Sequence, residues 1–208
     1  NCVNQILAEN QDPFDYMFYA TALGEVGVPI SQAQKESIDQ SNRLSFDPIL
    51  MLEETLNIKT IVTYSTFYVI RHQLATYGAM GFSKEAIEKW TLEPGKSHHT
   101  CIRAGLFESQ SSRGIKLLLR KSAKNPEKIK DPLLKSYFLG KNSKEGIKEF
   151  EEGIFAEEKE AYGDCRTNSE DLYQSHLTLF ETKNPLFVNV CGKKIWLSKE
   201  PQLLNDYF

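Results

Sequence analysis

The chain has 208 residues, 40% of them hydrophobic and 25% charged, with a formal net charge of −3. That length suits one domain able to bury a core, and the near balance of charge excludes the strongly basic character of a nucleic-acid-binding domain. The apolar content excludes disorder, while Glu53, Glu54, Lys59, Arg71 and His72 break the most apolar stretch, Ile49 to Gly81, too often for a bilayer span of about 20 apolar residues.

Asp12-Pro13 opens the first predicted element, a helix over 12–27 with Phe14, Met17, Phe18 and Thr21 on one face. Aspartate at an N-cap accepts from an orphan backbone N–H, and proline at the next position loses no hydrogen bond. A second helix is expected over 31–43. Asp47-Pro48 repeats the start signal ahead of Ile49, Leu52 and Leu56, predicting a helix over 47–57. Residues 60–77 continue as a helix, although the β-branched and aromatic run from Thr60 to Tyr68 also suits a strand.

Ser83-Lys84-Glu85 starts a helix over 83–90, with a serine cap and an acid in the first turn. Residues 91–112, with Pro94, Gly95, Gly105 and a Ser-Gln-Ser-Ser run, read as a long loop. Further helices are expected over 113–123, 131–139, 143–162 and 169–181. Ile147, Phe150, Ile154 and Phe155 line the third of these, and Gly140 and Gly163 sit where patterns stop. Apolar runs flanking Cys191-Gly192-Lys193 predict a hairpin over 186–197. No repeat and no linker divides the chain. The expected fold over 1–208 is a single mainly α domain, a multi-helix bundle with one small β-hairpin near the C-terminus.

Cys2, Cys101, Cys165 and Cys191 are four widely spaced cysteines with no C-x-x-C pair, which excludes zinc-ribbon and thioredoxin-like spacing. An even count, with Cys2 and Cys165 in polar surroundings, predicts two disulfides that use all four. The first residue is Asn1, not Met. Removal of a signal segment would deliver the chain to an oxidising compartment, so a secreted or periplasmic location is expected.

His98, His99 and Cys101 form the densest group of potential metal ligands, but adjacent side chains diverge and the i, i+4 histidine spacing is absent. Neither a metal nor a cofactor is expected. Gly95-Lys96-Ser97 lacks the earlier glycine of a phosphate-binding loop, since Trp90 stands at that position. The carboxylate pairs Glu151-Glu152 and Glu157-Glu158 read as a solvated helix face, while Glu53-Glu54 lies in a more apolar segment. Tyr64, Phe67, Tyr68 and Tyr77 read as core packing rather than a ligand wall. Arg113, Lys116, Arg120 and Lys124 recur every three or four residues and form a basic helical stripe able to receive an acidic protein partner.

With capped helices, expected disulfides and no assembled catalytic motif, the sequence points to an exported, non-enzymatic protein-binding domain. An inhibitor or neutralising partner of another protein, docking through that stripe, is the leading form. Two alternatives are a helical hydrolase, pairing His98 or His99 with Glu53 or Glu54, and a structural surface protein.

Overall fold

Ile58–Thr66 carries β-branched side chains on both of its faces, and both faces are buried along most of its length. A strand covered on both sides reads as a near-continuous apolar run, as in parallel sheets flanked by helices. The computed structural model, which describes residues 12–206, places this segment inside a five-stranded mixed sheet. The strands are β1 (Phe14–Tyr19), β2 (Ile58–Thr66), β3 (His98–Ala104), β4 (Phe187–Cys191) and β5 (Lys194–Ser198), adjacent in chain order. The first four run parallel, with Ile61 of β2 paired to Met17 and His99, and Cys101 of β3 paired to Phe187. β5 returns antiparallel on β4.

Parallel neighbours require crossover connections, and helices supply them. Helices α1 (Lys35–Ser45) and α2 (Asp47–Thr55) lie between β1 and β2, and α3 (Arg71–Leu74) and α4 (Gly78–Thr91) between β2 and β3. Helices α5 (Gln110–Ser122), α6 (Pro132–Phe138), α7 (Ser143–Tyr162) and α8 (Ser169–Glu181) fill the long connection to β4. Alternation along the strands divides the core. Ile61, Cys101 and Phe187 pack with Ile49 of α2 and with Ile87 and Trp90 of α4. Their neighbours Val62, Ile102 and Val188 face the other way and meet Leu179 of α8. A third cluster joins Phe67 to Leu119, Leu134, Phe138, Phe150 and Ile154 of α5, α6 and α7.

This α/β architecture overturns the expected helical bundle. Phe14, Met17 and Phe18 fit a helix face by spacing, yet Phe14–Tyr19 forms the edge strand, because parallel pairing with β2 satisfies its backbone. His98–Ala104 was expected as loop; it is a strand buried on both faces whose polar residues find partners inside the protein. The strands expected over 186–197 form, but as the end of a five-stranded sheet. Asn142, Asp131 and Asn168 cap α7, α6 and α8 through their side chains, whereas Asp47 lies inside the first turn of α2 without a side-chain cap bond.

The cysteine pairing is also corrected. Any two-bond scheme using four cysteines must join two of Cys101, Cys165 and Cys191, and all three are free thiols. Cys2 lies outside the described residues. Cys101 is fully buried in the middle of β3, where burial pushes its thiol up to about 12. Such a thiol packs as a small apolar group.

Candidate functional site

The carboxyl ends of β1, β2 and β3 open into a cleft of about 300 Å3. Ligands of open α/β sheets bind outside the carboxyl ends of the strands, where loops leave a crevice. Ala20 and Ala22 follow β1, Tyr64, Ser65 and Thr66 end β2, and Ala104 to Phe107 continue from β3. Met80 and Lys84 come from α4, Ile115 from α5, and Leu172 and His176 from α8. The walls are thus mostly apolar, with a few convergent polar groups, as in small-molecule sites.

Tyr77 and Lys84 both line this cleft. Seven residues are two helical turns, so Tyr77, the N-cap residue of α4, and the lysine within the helix lie on the same side of it. Lys84 is 7% exposed, and its Nζ donates to the backbone carbonyl of Tyr64 at 2.8 Å. Among the described residues it has no carboxylate partner within ion-pair distance. Burial holds its ammonium below the usual lysine range, with Cys101 and Glu88 pulling the other way. Burial likewise pushes the Tyr77 phenol up to about 12.

Across the cleft the Tyr64 hydroxyl lies 2.7 Å from His176 Nε2, and His176 Nδ1 lies 2.7 Å from the Leu172 carbonyl. A carbonyl only accepts, so Nδ1 carries a hydrogen; in the neutral ring Nε2 then accepts from the phenol. Burial pushes Tyr64 up to about 12 as well, with a smaller contribution from Cys101.

Behind this wall sits a saturated charge network. Arg103 Nη2 and Nε meet the Glu88 carboxylate at 2.6 and 3.1 Å, and Arg103 Nη1 donates to Asn189 Oδ1 at 2.9 Å. Ser65 Oγ and the backbone N–H and side-chain amide of Gln202 also donate to Glu88. A buried ion pair persists when extra hydrogen bonds satisfy both ions, as here.

The histidine and glutamate proposed from sequence do meet, away from the cleft. His99 Nε2 lies 2.8 Å from Glu53 Oε1, His99 Nδ1 lies 3.1 Å from the Trp90 carbonyl, and the Trp90 ring stacks on the imidazole at 3.7 Å. The pair is buried at the amino end of β3, and among the described residues no nucleophilic hydroxyl or thiol is bonded to it; the helical hydrolase is corrected, since the fold is a five-stranded sheet. His98 bonds the Pro185 carbonyl instead, and the exposed Glu54 pairs with Lys96. Glu157 and Glu158 are not a solvated face: Glu157 pairs with His72, and Glu158 is fully buried.

Of the basic stripe, Arg113 pairs with Glu108 and Lys116 with Glu151, at 3.2 and 2.7 Å. Arg120 and Lys124 are exposed and make no ion pair among the described residues. Phe67 and Tyr68 are core residues as read, but Tyr64 and Tyr77 line the cleft. The available signal was a lysine held within the apolar run of α4, seven residues after a tyrosine. Among the described residues, no group of three or more His, Cys, Asp or Glu is arranged to hold a metal, and no helix is long and apolar enough to cross a membrane.

No protein-family model matches the chain, and no curated protein matches it. Among solved structures, it aligns with an enoyl-[acyl-carrier-protein] reductase (NADH) from Aquifex aeolicus VF5 at 19% identity and a TM-score of 0.43, over 59% of this chain and 55% of that one. A short-chain dehydrogenase/reductase (glucose/ribitol dehydrogenase) from Brucella melitensis aligns at 16% identity and a TM-score of 0.42, over 58% and 53%. The chain thus spans about half the length of these structures. The likeness is partial, and the fold stands on the sheet itself.

The expectation of a helical, non-enzymatic inhibitor is corrected at its premises. The fold is α/β rather than helical, the described cysteines are unpaired, and a mostly apolar cleft with a few convergent polar groups is assembled where no motif announced it.

Proposed function

We propose that the chain forms the active-site part of an enzyme acting on a small oxygen-bearing organic molecule, a carbonyl compound or the corresponding alcohol. The observation that carries this reading is Lys84, a buried ammonium without a carboxylate partner among the described residues, lining a cleft at the carboxyl edge of a parallel sheet. Burying an unpaired charge is costly, and such groups gather where function uses them. Ammonium donors left over from the Tyr64 carbonyl are available to a ligand oxygen. The Tyr77 hydroxyl, on the same side of α4, is a hydrogen-bond donor to that oxygen and a proton source for it. The apolar walls exclude water and strengthen both contacts.

Thermal-shift measurements against NADH, NADPH and a panel of small aldehydes and ketones test this; nucleotides belong in the panel because parallel α/β sheets receive them at this edge. At least one probe should raise the melting temperature of the native chain. Lys84→Met and Tyr77→Phe, if folded by circular dichroism, should lose that shift. Absence of any shift, or full retention of it in Lys84→Met, would overturn the reading.

A further inference from the structure

A second cavity, of about 400 Å3, lies outside the cleft, between the Gly27–Pro29 segment and the chain from the end of α5 to the start of α6. Its sides are set by rigid backbone. Gly27 N–H donates to the Thr76 carbonyl at 2.6 Å and Gly78 N–H to the Val28 carbonyl at 2.9 Å, which fixes one wall. Successive turns fix the other, with Asn125 N–H bonded to Ser122 and Lys128 N–H to Asn125.

The charge on this cavity is mostly positive: three lysines and one carboxylate, Asp131, line it. Lys121, Lys128 and Lys130 line it, and none forms an ion pair among the described residues. The nearby acids are engaged: Asp131 Oδ1 accepts from Leu134 N–H at 2.8 Å, capping α6, and Glu127 pairs with Lys135 at 3.1 Å. Arg120 and Lys124 add to the field from the end of α5. From 120 to 130, five cations stand without an ionic partner among the described residues, in a chain whose net charge is −3. Val28, Pro29, Ile129 and Leu134 add apolar surface to the same cavity.

We propose that this cavity binds a phosphomonoester carried on a small apolar or aromatic body. A phosphate dianion satisfies several ammonium donors at once, each as a charge-assisted hydrogen bond. The apolar part of the lining takes the organic body, which inorganic phosphate lacks. The concavity fits a molecule of drug-like size, since small-molecule sites range from about 300 to 1,000 Å3.

The test uses phenyl phosphate as probe, followed by 31P NMR and isothermal titration calorimetry on the full chain. It should bind more tightly than inorganic phosphate or phenol, and more weakly as salt rises, because exposed charges are screened beyond about 8 Å at physiological ionic strength. Lys128→Gln/Lys130→Gln, two exposed changes that leave the core intact, should weaken binding by about tenfold or more. Lys84→Met, in the cleft, should leave it unchanged. Vesicles of phosphatidylcholine doped with phosphatidic acid separate a soluble ligand from a lipid headgroup, and should not sediment the chain. Equal affinity in the double variant, loss of binding in Lys84→Met, or sedimentation with vesicles without phenyl phosphate binding would each overturn the proposal. So would no binding at millimolar probe.

Discussion

The backbone N–H of Leu106 donates to Oε1 of Glu158 at 2.6 Å, so an acid buried on α7 holds the segment that walls the cleft. The other carboxyl oxygen, Oε2, has no hydrogen-bond partner among the described residues. Burial raises this carboxyl from its ordinary 4.5 to about 7, against the opposing pull of the Leu106 amide and the Cys191 thiol.

A raised acid binds its proton more tightly folded than unfolded. Its contribution to stability is therefore complete below 4.5 and is lost as pH rises to about 7. Glu158→Gln should flatten this slope. Above neutrality it should stabilise the chain, by up to about 3 kcal/mol if the whole shift is realised. Urea midpoints of both proteins at pH 5 and pH 8 check the sign: the variant's gain on the wild type should be much larger at the higher pH.

Glu53 predicts the opposite slope. Burial alone would raise its carboxyl, but hydrogen bonds from His99 and the amides of Ser97 and Lys96, with the His99 charge, hold it below its ordinary 4.5. Its stabilisation is present above that ordinary value and lost as pH falls through the lowered one. Glu53→Gln should cost about 1–3 kcal/mol at neutral pH and progressively less in acid, read from denaturation midpoints across an acid series.

Arg103 and Glu88 should not tolerate separation. Arg103→Met leaves Glu88 buried and uncompensated, and should cost about 3–5 kcal/mol by chemical denaturation. The residues after β5 should loosen with it, because Gln202 bonds both Glu88 and the Thr66 carbonyl. Hydrogen exchange at Gln202 and Leu204 should rise more than at Ile61.

Two glycines in helices should respond with opposite signs. A Cβ at Gly153 would fall 2.6 Å from the Tyr137 hydroxyl and closer still to His72 Nε2, crowding the His72–Tyr137 bond, so Gly153→Ala should destabilise by about 1–3 kcal/mol. A Cβ at Gly114 meets nothing within 4 Å, and Gly114→Ala should stabilise by about 0.5–1 kcal/mol through helix propensity. Thermal melts of the two single variants suffice.

The legible parts of the sequence were those whose structure is local. The predicted spans of α7 and α8, 143–162 and 169–181, coincide with the observed helices, because caps at Asn142 and Asn168 and the left-handed Gly163 act within a few residues. The strands were legible only in part. Phe14–Tyr19 is short enough for its apolar spacing to fit a helix, and what makes it a strand is β2, some forty residues away. His98–Ala104 looked polar because His99, Thr100 and Arg103 find their partners at Glu53, Pro185 and Glu88.

By itself, then, the sequence determined where α7 and α8 begin and end and that two apolar runs near 190 pair across a glycine turn. Tertiary structure alone decided that four strands run parallel, that Tyr64, Tyr77, Lys84 and His176 converge on one cleft, and that Glu158 is buried rather than solvated. Caps and turns act over a few bonds, so composition and spacing report them. Parallel pairing and the burial of a charge depend on groups distant along the chain, and their free energy exists only once the sheet has brought those groups together.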